Sequence, residues 1–464
     1  MGLRVYNSLT KQVEDFKSQR PDVVTMYLCG PTVYDYVTIG NFRTYTLGDI
    51  VNRVLSFNGY KVKYIMNYTD VGHLTGDNSG DADTGSDRLE EAAEKEGRSA
   101  REIADYYIND FLKGFDKLNL IRPFKFTRAT EYIHEQIDLV RNLERSGYTY
   151  RTSDGIYFDT SKFPKYGALS GLTAESIKEG ARIEPNPEKK HPTDFALWKF
   201  SPTDKQRWQE WDSPWGTGFP GWHLECSAMS MKELGETMDI HMGGEDLRMI
   251  HHQNEIAQSE CVSGKPFVNY WVHGAFLQVD GGRMGKSVGN AFTIDDIENR
   301  GFEPLALRYF YLSAHYRSTL NFTWDALLGA QNSLHKLYDI LSGYKESEDA
   351  SPSERHLSNF VQSINNDFNI PEALAVLWDL LKSNLPEPVE IATALKMDEV
   401  FGFNIENYIG YEIPQDVIDL ANSRSAYRKS GIWDKADMLR RQINEKGYVV
   451  EDVSDNKYKL KRKM

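Results

Sequence analysis

Cysteine is scarce in this chain. Only Cys29, Cys226 and Cys261 occur among 464 residues. Three thiols cannot make a disulfide framework, which points to a reducing, cytoplasmic setting. Long apolar runs are missing too. No window holds eighteen consecutive apolar residues, so no membrane partner is expected. The first residues, Met1-Gly2-Leu3-Arg4-Val5-Tyr6-Asn7, lack the apolar core of a signal peptide. Repeats and low-complexity tracts are absent. Positive charge is also in deficit: the net charge is −14, which argues weakly against a polyanionic partner. The deficit is uneven, however. From Ala421 to Met464 there are 12 Lys and Arg against 6 Asp and Glu, a local balance of +6 that leaves −20 for the rest. What matters for a nucleic acid is the charge of the contacting face, and this end is the candidate. With 40% apolar and 26% charged residues, the composition is that of an ordinary globular chain of two to four domains.

The most informative stretch runs from Tyr27 to Asn41. Val23-Val24-Thr25-Met26-Tyr27-Leu28 is an apolar run of strand length. Cys29-Gly30-Pro31 follows as a turn. After Gly40-Asn41 a helical pattern begins, with Tyr45, Leu47, Ile50, Val51 and Leu55 broadly on one face. Strand, Gly/Pro turn and helix is how a Rossmann-type unit opens onto a nucleotide. Free N–H groups and the dipole at the helix N-terminus suit phosphate. A buried strand leading into an ordinary helix, with Cys29 as a core residue, would read the same way on this segment alone.

A second constellation lies two hundred residues on: Gly221-Trp222-His223-Leu224-Glu225-Cys226, then Gly243-Gly244-Glu245-Asp246, then His251-His252-Gln253-Asn254-Glu255. His251 and Glu255 are four apart, hence on one helix face. With Cys29 and Cys226 they offer two sulfurs, a nitrogen and an oxygen, an acceptable zinc donor set. The distance of Cys29 from the others excludes a zinc finger. A metal here would sit in an assembled fold, facing a pocket. Without Cys29 and Cys226, His251 and Glu255 would read as a buried histidine and a surface acid.

In order along the chain, these segments resemble the cysteinyl-tRNA synthetases, a class I aminoacyl-tRNA synthetase family, and the resemblance runs nearly end to end. Thr38-Ile39-Gly40-Asn41 stands where the family has its His-Ile-Gly-His nucleotide motif. Phe219 to Met229, Pro192 to Lys199 and His251 to Gln258 match characteristic runs, and Arg283-Met284-Gly285-Lys286-Ser287 stands where the family has Lys-Met-Ser-Lys-Ser. Two departures stand out. Thr38 replaces an imidazole with a hydroxyl, and the signature loop carries Arg283 and Gly285 for a lysine and a serine, while Lys286 is retained.

The resemblance implies a fold and a reaction. The fold is α/β: a Rossmann-like parallel-sheet catalytic domain with an inserted domain, then a helical bundle and a small mixed C-terminal domain. The expected divisions are 1–119 and 205–264 for the two catalytic halves and 120–204 for an insertion at the tRNA acceptor end. A connecting region with the Lys286 loop takes 265–322, the helical bundle 323–400, and an anticodon-binding domain 401–464. The segment Gly72 to Asp87 reads as an acidic solvated loop. The implied reaction joins L-cysteine to tRNA(Cys) through a cysteinyl-adenylate, with one zinc ion per chain and ATP–Mg²⁺ as substrate. Thr38, Asn41 and Lys286 are its implied catalytic groups. Gly30, Gly40, Arg283, Met284 and Ser287 join them around ATP. Cys29, Cys226, His251 and Glu255 hold zinc. Thr69, Trp222, His241 and Asp246 face the cysteine, with Asp246 on its ammonium. Arg428, Trp433 and Asp437 meet the tRNA. The family is usually monomeric.

Overall fold

The run Val23–Leu28 is a strand because it is covered on both faces, and its neighbours on either side are strands as well. The computed structural model describes residues 2–76, 83–171, 186–202, 207–285, 288–344, 350–453 and 458–462. An N-terminal hairpin pairs β1 (Arg4–Asn7) with β2 (Gln12–Asp15). Then come β3 (Val23–Leu28), β4 (Lys61–Tyr68) and β5 (Lys125–Arg128). With β10 (Met238–Gly244) and β11 (Val268–Gly274) they form a five-stranded parallel sheet in the order β11-β10-β3-β4-β5. Parallel strands buried on both faces read as continuous apolar runs. Met26 and Leu28 are fully buried, each contributing about 1.5–3 kcal/mol by leaving water.

Helix α1 (Ile39–Phe57) follows β3 and crosses to β4. Its buried face includes Ile39, Phe42, Tyr45, Ile50, Val51 and Val54. Two helices follow β4. The second is α3 (Ala100–Lys117), with Ser99 and Glu102 in a capping box. Ahead of it lies α2 (Arg88–Glu96), which the composition of the acidic segment hid. The Asp87 carboxylate caps it by accepting from Leu89 and Glu90 N–H groups at 2.9 and 3.3 Å, and left-handed Gly97 ends it. Part of the expected loop, residues 77–82, lies outside the described residues.

The second sheet is antiparallel. Strands β6 (Thr149–Arg151), β7 (Gly155–Phe158), β8 (Phe195–Phe200) and β9 (Gly218–Pro220) pair in sequence order. This differs from the expected division at both ends. Lys125–Arg128, assigned to the insertion, is the edge strand of the parallel sheet because its hydrogen bonds run to β4. Gly218–Pro220, assigned to the catalytic half, pairs with β8. Between β12 (Leu277–Val279) and β14 (Leu320–Phe322), β13 (Gly282–Arg283) turns back on β12.

Helices then dominate: Trp324–Ser342, Glu354–Ile364, Ile370–Leu380 and Glu387–Phe401. The last section carries helices Gln415–Lys429 and Trp433–Glu445 and the hairpin of β15 (Tyr448–Asp452) and β16 (Tyr458–Arg462). Its small core joins Val417, Ala421, Ile443, Tyr448 and Val450. Among the described residues no helix is long and apolar enough to cross a membrane.

Candidate active site at the switch point of the parallel sheet

Strand order reverses between β3 and β10, whose connections leave the sheet in opposite directions. Open α/β sheets bind ligands in the crevice beyond the carboxyl ends of such strands. Cys29 stands at the end of β3 and donates its backbone N–H to Met242 of β10 at 3.1 Å. Gly30 follows, its N–H 2.9 Å from Asn67 Oδ1. A Cβ on Gly30 would lie 1.8 Å from the Asn67 carbonyl oxygen, so only glycine lets the chain pass. Val33 N–H then donates to the Thr69 carbonyl at 3.1 Å and Thr69 N–H to the Pro31 carbonyl at 3.0 Å, fixing the turn against the end of β4.

The crevice is a cleft of about 240 Å³ whose walls include Cys29, Gly30, Asn41, His73, Trp222 and Asp246. Trp222 stacks on His73 with ring centroids 4.4 Å apart, and His73 Nδ1 is 2.9 Å from Thr32 Oγ1. Motif reasoning picked out Trp222 but missed His73 and Thr32. Their signal was only a glycine-flanked histidine in a segment read as solvated loop.

Behind the cleft wall, Cys29 Sγ is 3.7 Å from Cys226 Sγ and 3.9 Å from Glu255 Oε1. His251 Nε2 is 3.2 Å from the same carboxylate oxygen. One donor atom from each of Cys29, Cys226, His251 and Glu255 lies within 4.8 Å of the others, and all four residues are buried. Two sulfurs on one tetrahedral zinc, each about 2.3 Å from it, stand roughly 3.8 Å apart. The observed separation fits. So does the electrostatics: burial first, then the nearby carboxylates, pushes the Cys29 thiol up to about 12, and burial raises Cys226 as well. Thiolates in this setting need a cation.

Beneath lies a layer of imidazoles, among which the sequence reading gave no role to His223, His252 or His273. His252 Nε2 is 3.4 Å from Cys29 Sγ, and its Nδ1 is 2.8 Å from His273 Nε2. His273 Nδ1 in turn reaches Ser8 Oγ at 2.8 Å. His223 and His251 meet at 3.0 Å. Burial holds His252 and His273 well below the ordinary histidine value. His241, expected against substrate, is fully buried in this layer with Nε2 2.9 Å from Glu255 Oε2. Cys29, His241, His252 and Glu255 form a second set of converging donors. Thr69 is likewise turned inward, its hydroxyl donating to the buried Glu225 carboxyl. Thus the structure brings Trp222 and Asp246 to the cleft wall, and Thr69 and His241 to the layer behind it.

At the nucleotide end, Thr38 and Asn41 open α1. The signature loop lies over them: Met284 Sδ is 3.1 Å from where a Cβ on Gly40 would stand. Asn290 braces this loop, accepting from Gly285 N–H at 2.8 Å and donating to the Arg283 carbonyl at 3.1 Å. Lys286 and Ser287 lie outside the described residues. Far from the cleft, the Arg428 guanidinium sits 5.4 Å from the Trp433 ring and 2.7 Å from Asp452 Oδ2. Trp433 is 57% exposed, and Asp437 is exposed one turn further along the same helix.

A reversed parallel sheet, a helix N-terminus under a glycine-containing loop and a buried cluster of possible metal donors reaching the cleft through Cys29 together fit a class I aminoacyl-tRNA synthetase catalytic domain. Residues 15–332 match the family model described as tRNA synthetases class I (C) catalytic domain. Over nearly its whole length the chain belongs to the cysteine–tRNA ligases. It is 45% identical over 460 residues to cysteine–tRNA ligase 1 of Burkholderia lata, covering 98% of this chain and 96% of that protein. It is 39% identical to the cysteine–tRNA ligase of Treponema denticola, covering 97% and 98%. Among solved structures, Mycobacterium tuberculosis methionyl-tRNA synthetase with methionyl-adenylate superposes with a TM-score of 0.55 at 14% identity, covering 82% of this chain and 90% of that one. The Agrobacterium radiobacter LeuRS–tRNA–LeuAMS complex gives 0.58 at 11%, covering 85% and 86%. At such identities the likeness is one of fold.

Proposed function

We propose that this chain attaches L-cysteine to tRNA(Cys) in two steps, using ATP to form cysteinyl-adenylate and then transferring the cysteinyl group to the terminal ribose. The observation that carries the reading is the buried set Cys29, Cys226, His251 and Glu255, which reaches through Cys29 into a cleft whose wall also holds Asp246 and, at the N-terminus of α1, Asn41.

Activation is an in-line attack of the cysteine carboxylate on the α-phosphate. A carboxylate is already nucleophilic, so the chain's contribution is position and charge. Asp246 holds the substrate ammonium. Trp222, backed by His73, closes one wall and excludes water. Asn41 and the backbone around Gly40 meet the phosphates from one side. Arg283 and Lys286 neutralise the leaving pyrophosphate from the other, with ATP taken as its Mg²⁺ complex. Glycines at 285 and 289 let this loop close over ATP.

Selection of cysteine over serine is the harder task, because a shaped apolar pocket rejects a close isostere by only about a hundredfold. Cys29, Cys226, His251 and Glu255 would hold a zinc ion, which would supply a thiophilic contact that favours a thiolate and that a serine hydroxyl meets poorly. In this reading residues 120–204 approach the acceptor end, 323–400 form the connecting bundle, and 401–464 read the anticodon. There Trp433 stacks on a base while Arg428 and Asp437 contact it. A monomer in the cytoplasm is the working form.

The test is charging of tRNA(Cys) with labelled cysteine or serine by zinc-loaded protein. Charging with cysteine alone is expected. Cysteine-dependent ATP–pyrophosphate exchange without charging would place the acceptor elsewhere, and equal use of serine would remove the metal's selective role.

A further inference from the structure

The first motif departs from the family's at Thr38, and the geometry there separates two roles that sequence reasoning had merged. Thr38 precedes α1 in extended conformation, with φ −86° and ψ 161°. Its hydroxyl donates to Asn41 Oδ1 at 2.9 Å, and its backbone N–H points to the same oxygen at 3.4 Å. A backbone N–H can only donate. The carboxamide oxygen of Asn41 must therefore face Thr38, and the amide NH₂ must face away from it. Asn41 is exposed and lines the cleft. Among the described residues no acceptor is found for that NH₂. A threonine hydroxyl has a single proton, and here it is given to Asn41.

We infer that Thr38 is a positioning residue: it locks the Asn41 carboxamide so that its two N–H donors face the phosphates of ATP, and it does not itself donate to them. The inference deepens the reading above and rests on it. Asn41 can be locked this way because the two residues stand three apart at a helix start, where an N-cap hydroxyl and the third helical side chain meet. An asparagine amide free to rotate would present oxygen to phosphate about as readily as nitrogen, and oxygen repels it. The approach of Met284 of the signature loop to Gly40, between the two residues, places the pair where the loop and the helix start meet.

Cysteine-dependent ATP–pyrophosphate exchange tests this, run on the full chain with thermal unfolding measured in parallel. Thr38→Val keeps the size and backbone donor and removes the hydroxyl. It is expected to lower kcat about tenfold, the scale of one hydrogen bond aligned in the transition state, with the KM for cysteine unchanged. Thr38→Ser restores the hydroxyl and is expected within about twofold of the unmodified chain. With Asn41→Ala already present, Thr38→Val has nothing to orient, so the double variant should match Asn41→Ala alone. Three results would each overturn the inference: full additivity in the double variant, which would mean a direct phosphate contact; Thr38→Ser as slow as Thr38→Val; or Thr38→Val at the unmodified rate. Absence of exchange in the unmodified chain would overturn the reading beneath it as well, and that result appears before any variant is made.

Discussion

Cys29 and Cys226 are 197 positions apart, yet their sulfurs lie 3.7 Å from one another. One ends a central strand of the parallel sheet; the other belongs to the first turns of helix Trp222–Leu234. Neither sulfur is exposed enough to be solvated, and the spacing is that of two ligands on one ion. Cys226→Ala is therefore expected to abolish stoichiometric metal binding, read by metal analysis of the purified protein. The KM for cysteine should rise on the order of a hundredfold or more, the range seen when a metal's coordination is disturbed. ATP binding, read by equilibrium titration, should change little. Equal loss of both would mark the metal as structural.

Gly40 is tested by crowding. A Cβ there would lie 3.1 Å from Met284 Sδ, so the Met284 side chain must give by a few tenths of an ångström. Gly-to-Ala in the first turn of a helix would otherwise be neutral or mildly stabilising. Gly40→Ala should raise the KM for ATP about tenfold at unchanged unfolding temperature, one lost contact's worth. Adding Met284→Ala should recover part of it. No recovery would mean that the loop is not held by this contact.

Helix α1 is held at its middle by a fully buried ion pair, Arg308 Nη2 to Asp49 Oδ2 at 2.6 Å. Arg308 also donates to the carbonyls of Phe401 and Leu118 at 2.6 and 3.0 Å, so one guanidinium joins α1, the end of α3 and two later helices. Burial lowers its pKa, and Asp49 opposes that shift. Asp49→Asn leaves the charge unpaired and should cost about 3–5 kcal/mol in urea unfolding. A change below about 1 kcal/mol would assign the stability to the carbonyl contacts instead.

At the C-terminal end, Asp452 receives Arg424 through two hydrogen bonds at 2.8 and 2.9 Å and Arg428 at 2.7 Å. The Arg424 hydrogen bond, ahead of the charges of Arg424, Arg428 and Arg440, holds the Asp452 carboxyl below its ordinary value of 3.8. A depressed carboxylate contributes its full stability above the unfolded value and loses it as pH falls through the folded one. The Asp452 contribution is thus complete at neutral pH and disappears below about pH 4. Asp452→Asn should weaken the C-terminal unit at neutral pH and flatten that acid dependence, followed by Trp433 fluorescence. An unchanged acid limb would show that other carboxylates carry it.

Local patterns were legible where they describe a residue's own surroundings. The run Val23–Leu28 is a strand with the bounds its apolar stretch marks, and the helical pattern that begins near Gly40-Asn41 is α1 (Ile39–Phe57). Helix α2 was not legible, because its stability comes from Asp87, Gly97 and packing on α3 more than from its short apolar stripe. Lys125–Arg128 was not legible as a sheet strand either. Nothing in Lys-Phe-Thr-Arg demands a parallel partner; β4 supplies it.

The site divides along the same line. Residue types alone determined that this chain could hold a thiophilic metal beside a nucleotide-binding helix start, because thiol, imidazole and carboxylate carry their donor chemistry wherever they stand. Which groups face the cleft was decided only by the tertiary structure. His241 and Thr69 have the right chemistry but turn inward to Glu255 and Glu225, while His73 and Thr32, unremarkable in sequence, form the wall. Thr38 and Asn41 show the division within four residues: both offer donors on paper, and a hydrogen bond between them leaves one amide to face the cleft. Donor capacity belongs to the side chain, but direction depends on what else the fold has placed within hydrogen-bonding distance.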